Sequence, residues 1–150
     1  MPSLSLDDFL PYRLSIASNL VSAAIATAYQ TLFGLKIAEW RLIAVLAEGG
    51  AMSQQALGAR TRMDKVTVSR AAIALVDRGL LTRARDEHDN RAHALSLSAA
   101  GRTLYEQVAP QAIELEAELF ADFTKDERAT LRAFLARIEA AADAMAAQRA

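Results

Sequence analysis

A chain of 150 residues, 53% hydrophobic and 23% charged, is long enough for one domain with a buried core and too apolar for a disordered one. It contains no Cys, which excludes disulfides, thiolate catalysis, Cys-ligated zinc and thiol-based redox sensing. Net charge is −1, but Ser53 to His93 carries eight Lys/Arg against five Asp/Glu and the remainder nine against thirteen, a distribution that fits nucleic acid on one face or ordinary surface charge.

Alanine and leucine dominate and turn residues are scarce, which favours helices. No apolar run reaches spanning length, and Asp7 and Asp8 stand where a secretion signal would carry positive charge, so a soluble cytoplasmic protein without a membrane partner is expected. Over about residues 7–34, Leu14, Ala17, Leu20, Val21, Ala24, Ile25, Ala28 and Leu32 fall on helical spacing. Pro11 belongs near that helix's start, and Gly34 ends it. A second helix carries Trp40, Ile43, Ala44, Leu46 and Ala47 and stops at Gly49-Gly50. Ser53 is an N-cap for a short helix with Ala56 and Leu57 inward, and Asp64 caps another in which Val66, Ile73 and Val76 recur, with Gly79 as its stop. The period then changes: "LLTRAR" and "AHALSLS" predict two strands joined by "DEHDN", with Leu95 and Leu97 on one face. Ser98 caps a long helix with Leu104, Val108, Leu115 and Leu119 on one stripe, which Pro110 should bend. "TKDE", Thr124 to Glu127, is a capping box that opens a last helix with Leu131, Phe134, Leu135, Ile138 and Met145 on one stripe.

Two helices joined by "RTRM" and followed by a hairpin make a winged helix-turn-helix, in which the N-terminal residues of the second helix enter the major groove. Lys65, Thr67, Ser69 and Arg70 are the polar residues there that reach bases or phosphates; Ser53 and Gln54, opening the shorter helix, are further candidates. Val66, Ala72 and Ile73 would hold the helix to its neighbours, and its N-terminal amides would face a phosphate. The competing reading is a plain amphipathic surface helix. It explains the apolar stripe but not short polar donors gathered at one end with basic residues on both sides.

"MDKVTVSRAAIALVDRGLLTRARDEHDNRAHALSLSAAGRTLY" resembles the MarR family of bacterial transcription regulators. The likeness lies in a recognition helix ending in "LVDRGLL", basic residues, and then Asp89, Arg91, Leu95, Leu97, Ser98 and Gly101 in the spacing D-x-R-x-x-x-L-x-L-[TS]-x-x-G. "EWRLIAVLAEGG" is similar to the preceding helix, and the helix order matches over nearly the whole chain. Two departures are small: Ser98 stands where the family commonly has Thr, and Lys36 where a Ser/Thr cap is expected. The resemblance implies a mostly helical single domain of residues 1–150 with a small hairpin wing. Its winged helix-turn-helix lobe spans about residues 36–97, and its dimerisation lobe is built from helices at about 7–34 and 98–148. It further implies a homodimer that reads a palindromic operator in double-stranded DNA, with repression the common outcome. Arg91 at the wing tip would enter the minor groove, where negative potential attracts a guanidinium, and Asp89 would fix its direction.

Effectors in the family often bind between the dimer helices and the DNA-binding lobe, and many are aromatic acids or phenolics. Tyr12, Arg13, Asn19, Trp40 and Arg41 are the residues here that suit such a ligand, an aromatic acid or its thioester, although a lone Trp on an apolar stripe also suits core packing. His88 and His93 beside Asp86, Glu87 and Asp89 match no tight metal motif, and nothing calls for a cofactor. Without a phosphate loop, an "HExxH" or a placeable Ser-His-Asp set, no enzyme is expected. The rival function is a helical dimeric interaction protein without DNA binding, for which Arg91 and the polar recognition end would be superfluous.

Overall fold

The structure is a computed structural model that describes residues 2–85 and 93–150, with Arg85 described by its backbone alone. It divides into two compact units, Met1–Pro110 and Gln111–Ala150. The first opens with a short 3-10 turn at Leu6–Asp8. Then come α1 (Leu10–Phe33), α2 (Ile37–Gly49), β1 (Met52–Ser53), α3 (Gln54–Thr61), α4 (Lys65–Asp77), β2 (Leu81–Arg85) and β3 (His93–Leu97). The next helix, α5 (Ala99–Leu119), passes through the division at Pro110 as one helical run, and α6 (Lys125–Arg149) follows. Among the described residues no single helix is long and apolar enough to cross a membrane.

The expected element order holds, and the caps explain it. Pro11 lies in the first turn of α1, where its missing N–H breaks no helical bond, so the helix starts at Leu10 rather than at Asp7. At Lys36 no hydroxyl caps α2; instead the half-box is made by Glu39, whose buried carboxylate accepts from the Lys36 amide at 2.8 Å. Ser53 caps α3, its hydroxyl accepting from the Ala56 amide at 3.1 Å. Between α3 and α4 the chain turns through Arg62, which holds a left-handed φ of 61° usually left to glycine.

The sheet has three antiparallel strands in the order β1-β3-β2, with Met52 opposite Leu95 and Leu81 opposite Leu97. The two-residue β1 went unread in the sequence because so short a segment has no period. Leu35, Leu42, Ile43, Leu46, Leu57, Val68, Leu75, Leu81, Leu95 and Val108 are the largest fully buried side chains of the core. The face that α4 gives to this core differs from the expected one. Val68, Ala71, Ala72 and Leu75 are buried, while Val66 and Ile73 remain 56% and 53% exposed and hold nothing to its neighbours within the chain. Ala56, expected inward on α3, is exposed as well, and Leu57 alone is that helix's buried residue.

Two long-range polar ties fix α4. Arg78 at its C-terminus donates to the Gly34 carbonyl between α1 and α2, at 3.1 Å. At the start of α5, Ser98 donates to the Gly79 carbonyl at 2.6 Å and accepts from the Gly101 amide at 3.0 Å. In the second unit the capping box of α6 is complete: Glu127 N–H donates to the Thr124 hydroxyl at 3.0 Å, and Thr124 N–H to the Glu127 carboxylate at 2.8 Å. No residue of α6 is buried, and Phe134, Leu135, Ile138 and Met145 all stand exposed.

Candidate nucleic-acid interface

Because Val68, Ala71, Ala72 and Leu75 lock one side of α4 into the core, the opposite side is held out at fixed orientation. Lys65 and Arg70 are exposed on α4, and Ser69 is half-buried. Beside them, α3 and α4 frame an open cleft of about 500 Å3 lined by Gln54, Gln55, Gly58, Ala59, Lys65 and Val68. Thus Ser53 caps α3, which Gln54 opens, and Lys65, Thr67, Ser69 and Arg70 lie on the adjacent α4, with Lys65 and Gln54 bordering one cleft.

Their hydrogen-bonding freedom differs. Thr67 is committed locally: its amide donates to Asp64 Oδ1 at 2.8 Å and its hydroxyl to Asp64 Oδ2 at 3.0 Å. The hydroxyl has therefore spent its proton and can only accept from a base or offer its methyl group. These bonds, the Thr67 amide foremost, hold the Asp64 carboxyl below the usual carboxylate range, so it is ionised at neutral pH. The Asp64 carboxylate thus already takes the Thr67 amide, one of the first amides of α4.

Arg83 was not singled out in the sequence, where it is one of several basic residues in "LLTRAR". It lies on β2 opposite Leu95 and donates to Gln54 Oε1 at 2.8 Å, orienting the Gln54 amide and tying the hairpin to the start of α3. A cross-strand pairing of this kind has no signature in local spacing. Further along the same two strands, Thr82 and Ser96 share a hydroxyl–hydroxyl bond of 2.9 Å. The wing-tip residues Asp89 and Arg91, and His88 with Asp86 and Glu87, lie outside the described residues. Among the described residues no group of three or more potential ligands surrounds a metal position.

The five residues expected to share an effector pocket are not brought together within one chain. Trp40 is half-buried between Tyr29, tilted at 5.7 Å between ring centroids, and Tyr105, stacked at 5.8 Å. Its ring is therefore mainly a packing element. Tyr29 lies sixteen residues beyond Arg13 on the same helix, about 24 Å at 1.5 Å per residue. Arg13 is exposed and donates to the Asp7 carbonyl at 3.0 Å, while Tyr12 and Asn19 are also on the exposed N-terminal half of α1. Only Arg41 accompanies Trp40: its charge opposes the rise that burial imposes on the Tyr29 phenol pKa.

A recognition helix packed behind a shorter helix and flanked by a hairpin defines a winged helix-turn-helix transcription regulator. The profile of the MarR family matches residues 33–92. The fold is similar to the crystal structure of a MarR/EmrR family transcriptional regulator from Acinetobacter sp. ADP1, at TM-score 0.86 and 28% identity over 93% of this chain and 99% of that one. It is also similar to that of a "probable transcriptional regulator from Pseudomonas aeruginosa", at TM-score 0.80 and 34% identity over 89% of this chain and 99% of that one. The HTH-type transcriptional regulator YdgJ of Bacillus subtilis (strain 168) is 25% identical over 118 residues, 79% of this chain and 72% of its own. The chain belongs to the MarR family, whose members are transcription regulators.

Proposed function

We propose that the chain is a sequence-specific repressor that binds a palindromic operator as a homodimer in the cytoplasm, with α4 in the major groove. The observation that carries this reading is the outward face of α4. Lys65, Ser69 and Arg70 project from a helix whose other side is rigidly packed, so donors to base edges are held in place before DNA arrives. Repression follows from occlusion, which needs no further surface on the protein, whereas activation needs one for polymerase. A helical interaction protein that never meets DNA gives no account of this display.

Arg70→Ala should cost specific binding about 1–3 kcal/mol, the worth of a good base contact, and Lys65→Ala should weaken binding across sequences and flatten its salt dependence. The measurement is fluorescence anisotropy on duplexes that the wild-type protein selects from a random-sequence pool, at several salt concentrations. If both variants bind those duplexes like wild type at physiological salt, α4 is not the reading element.

We further propose that a small aromatic acid, free or as a thioester, releases the operator. The support is one place that combines an aromatic wall, Trp40 with Tyr105, and a cation, Arg41. Arg13 reaches this place only if a second copy of the chain supplies it. Trp40 is the sole indole, so its emission reports binding directly. Hydroxybenzoates and hydroxycinnamates, free and as coenzyme A thioesters, should change that emission and loosen DNA by a coupling of about 1–3 kcal/mol. Arg41→Ala should weaken the active compound more than Arg13→Ala if one chain builds the pocket, and the reverse order marks a pocket shared between copies. A compound set that alters neither emission nor operator release removes the aromatic-effector proposal and leaves the DNA-binding one standing.

A further inference from the structure

We propose that Val66 is a specificity-determining residue that reads the 5-methyl group of a thymine in the major groove; this rests on the DNA-binding reading of α4 above. An isolated exposed apolar side chain is ordinary on a protein surface. Val66 is distinguished by its place. It is the second residue of α4, within the N-terminal part that reaches base edges in this architecture, and it is 56% exposed while Val68, two residues on, is buried. Folding does not require valine here, since the side chain covers no core. Helix propensity does not require it either, because a β-branched residue is a poorer helix former than alanine.

The surroundings supply the complementary chemistry. On the helix surface the neighbours of Val66 one turn on are Ser69 and Arg70, so an apolar spot sits beside a hydroxyl and a guanidinium. In the major groove only thymine among the four bases offers a methyl group, and a guanidinium pairs with the O6 and N7 of guanine. Val66 and Arg70 are separated by about 6 Å along the helix axis, and base pairs by about 3.4 Å along the duplex. The two side chains therefore read a thymine and a guanine within one or two base pairs of each other. Valine meets that methyl with little ordering cost, because its χ1 is already restricted in a helix.

The test uses duplexes selected by the wild-type protein from a random-sequence pool, with each thymine replaced in turn by deoxyuridine, which removes the methyl and leaves every hydrogen-bonding group. One thymine in each half-site should prove sensitive, with about fourfold weaker binding on replacement, the factor that corresponds to about 0.8 kcal/mol for one buried methyl-sized group. Replacing both should cost about fifteenfold. Val66→Ala, which melts like wild type because the site is exposed, should bind thymine and uracil duplexes alike. The inference is overturned if no thymine is sensitive in wild type, or if Val66→Ala keeps the same sensitivity. Selection that enriches no sequence over bulk DNA overturns the DNA-binding reading as well, a result distinct from enrichment without a methyl effect.

Discussion

Gly101→Ala should destabilise the fold by about 3 kcal/mol, the upper part of the range for forcing extra carbon into a filled space, and lower the melting temperature by roughly 6–12 °C. A Cβ on Gly101 would sit 2.0 Å from the carbonyl oxygen of Leu80 and 3.1 Å from its carbonyl carbon, and both are backbone atoms with no rotamer to change. That carbonyl is moreover engaged, accepting from the Ser98 amide at 3.1 Å. Moving it away loosens the junction at which Ser98 joins Gly79 to the first turn of α5. Gly58→Ala is the matched control. Its Cβ would meet the Met63 carbonyl at 3.5 Å and Val68 Cγ2 at 3.8 Å, ordinary contacts, and alanine is the better helix former by about 1 kcal/mol. Thermal melts at equal protein concentration should show Gly58→Ala unchanged or stabilised. A Gly101→Ala protein that melts with wild type would mean that α5 does not pack closely on the Leu80 carbonyl.

The same junction explains which parts of the molecule were legible from residues alone. The Ser98 cap is a local rule, because the amide it accepts from lies within one helical turn, so it reads directly from sequence, whereas the close approach of Gly101 to Leu80, 21 residues earlier, does not. Caps at Ser53, Asp64 and Thr124 are local for the same reason, and each stands where expected. Facing is harder. On α4, Val66 and Ile73 lie seven residues apart, as do Val68 and Leu75. Both pairs satisfy a helical period, and only packing against α2 and α3 selects the second. The tie from Arg83 to Gln54 spans 29 residues and the one from Arg78 to Gly34 spans 44, distances at which no periodicity carries information. The spacing of the effector candidates is of the same kind: Arg13 and Trp40 are suitable groups, but within one chain sixteen residues of α1 separate Arg13 from Tyr29, which packs on Trp40.

Replacing Leu135 and Ile138 together by glutamate should abolish the dimer and with it tight operator binding. In one chain α6 buries none of its residues, yet Phe134, Leu135, Ile138 and Met145 recur on one stripe, a pattern that water alone does not explain and a second copy does. In a two-fold interface each substitution appears twice, so two changes place four carboxylates in an apolar seam. An uncompensated buried charge costs about 3–5 kcal/mol, and each 1.4 kcal/mol is tenfold in the dissociation constant, so even a nanomolar dimer would be monomeric at micromolar concentration. The helix itself should survive, because both positions are exposed in the single chain and glutamate is a good helix former. Loss of the dimer removes the linkage that makes binding of the second half-site intramolecular, and affinity for a palindromic duplex should fall by about 10²–10⁴. A duplex carrying one half-site should then bind the variant and wild type equally, because each recognition helix is intact. Sedimentation, far-UV circular dichroism and anisotropy on both duplexes separate the possibilities. A variant that still sediments as a dimer places the interface elsewhere than on α6. A monomeric variant that holds the palindrome as tightly as wild type would show that two-fold symmetry contributes nothing to recognition.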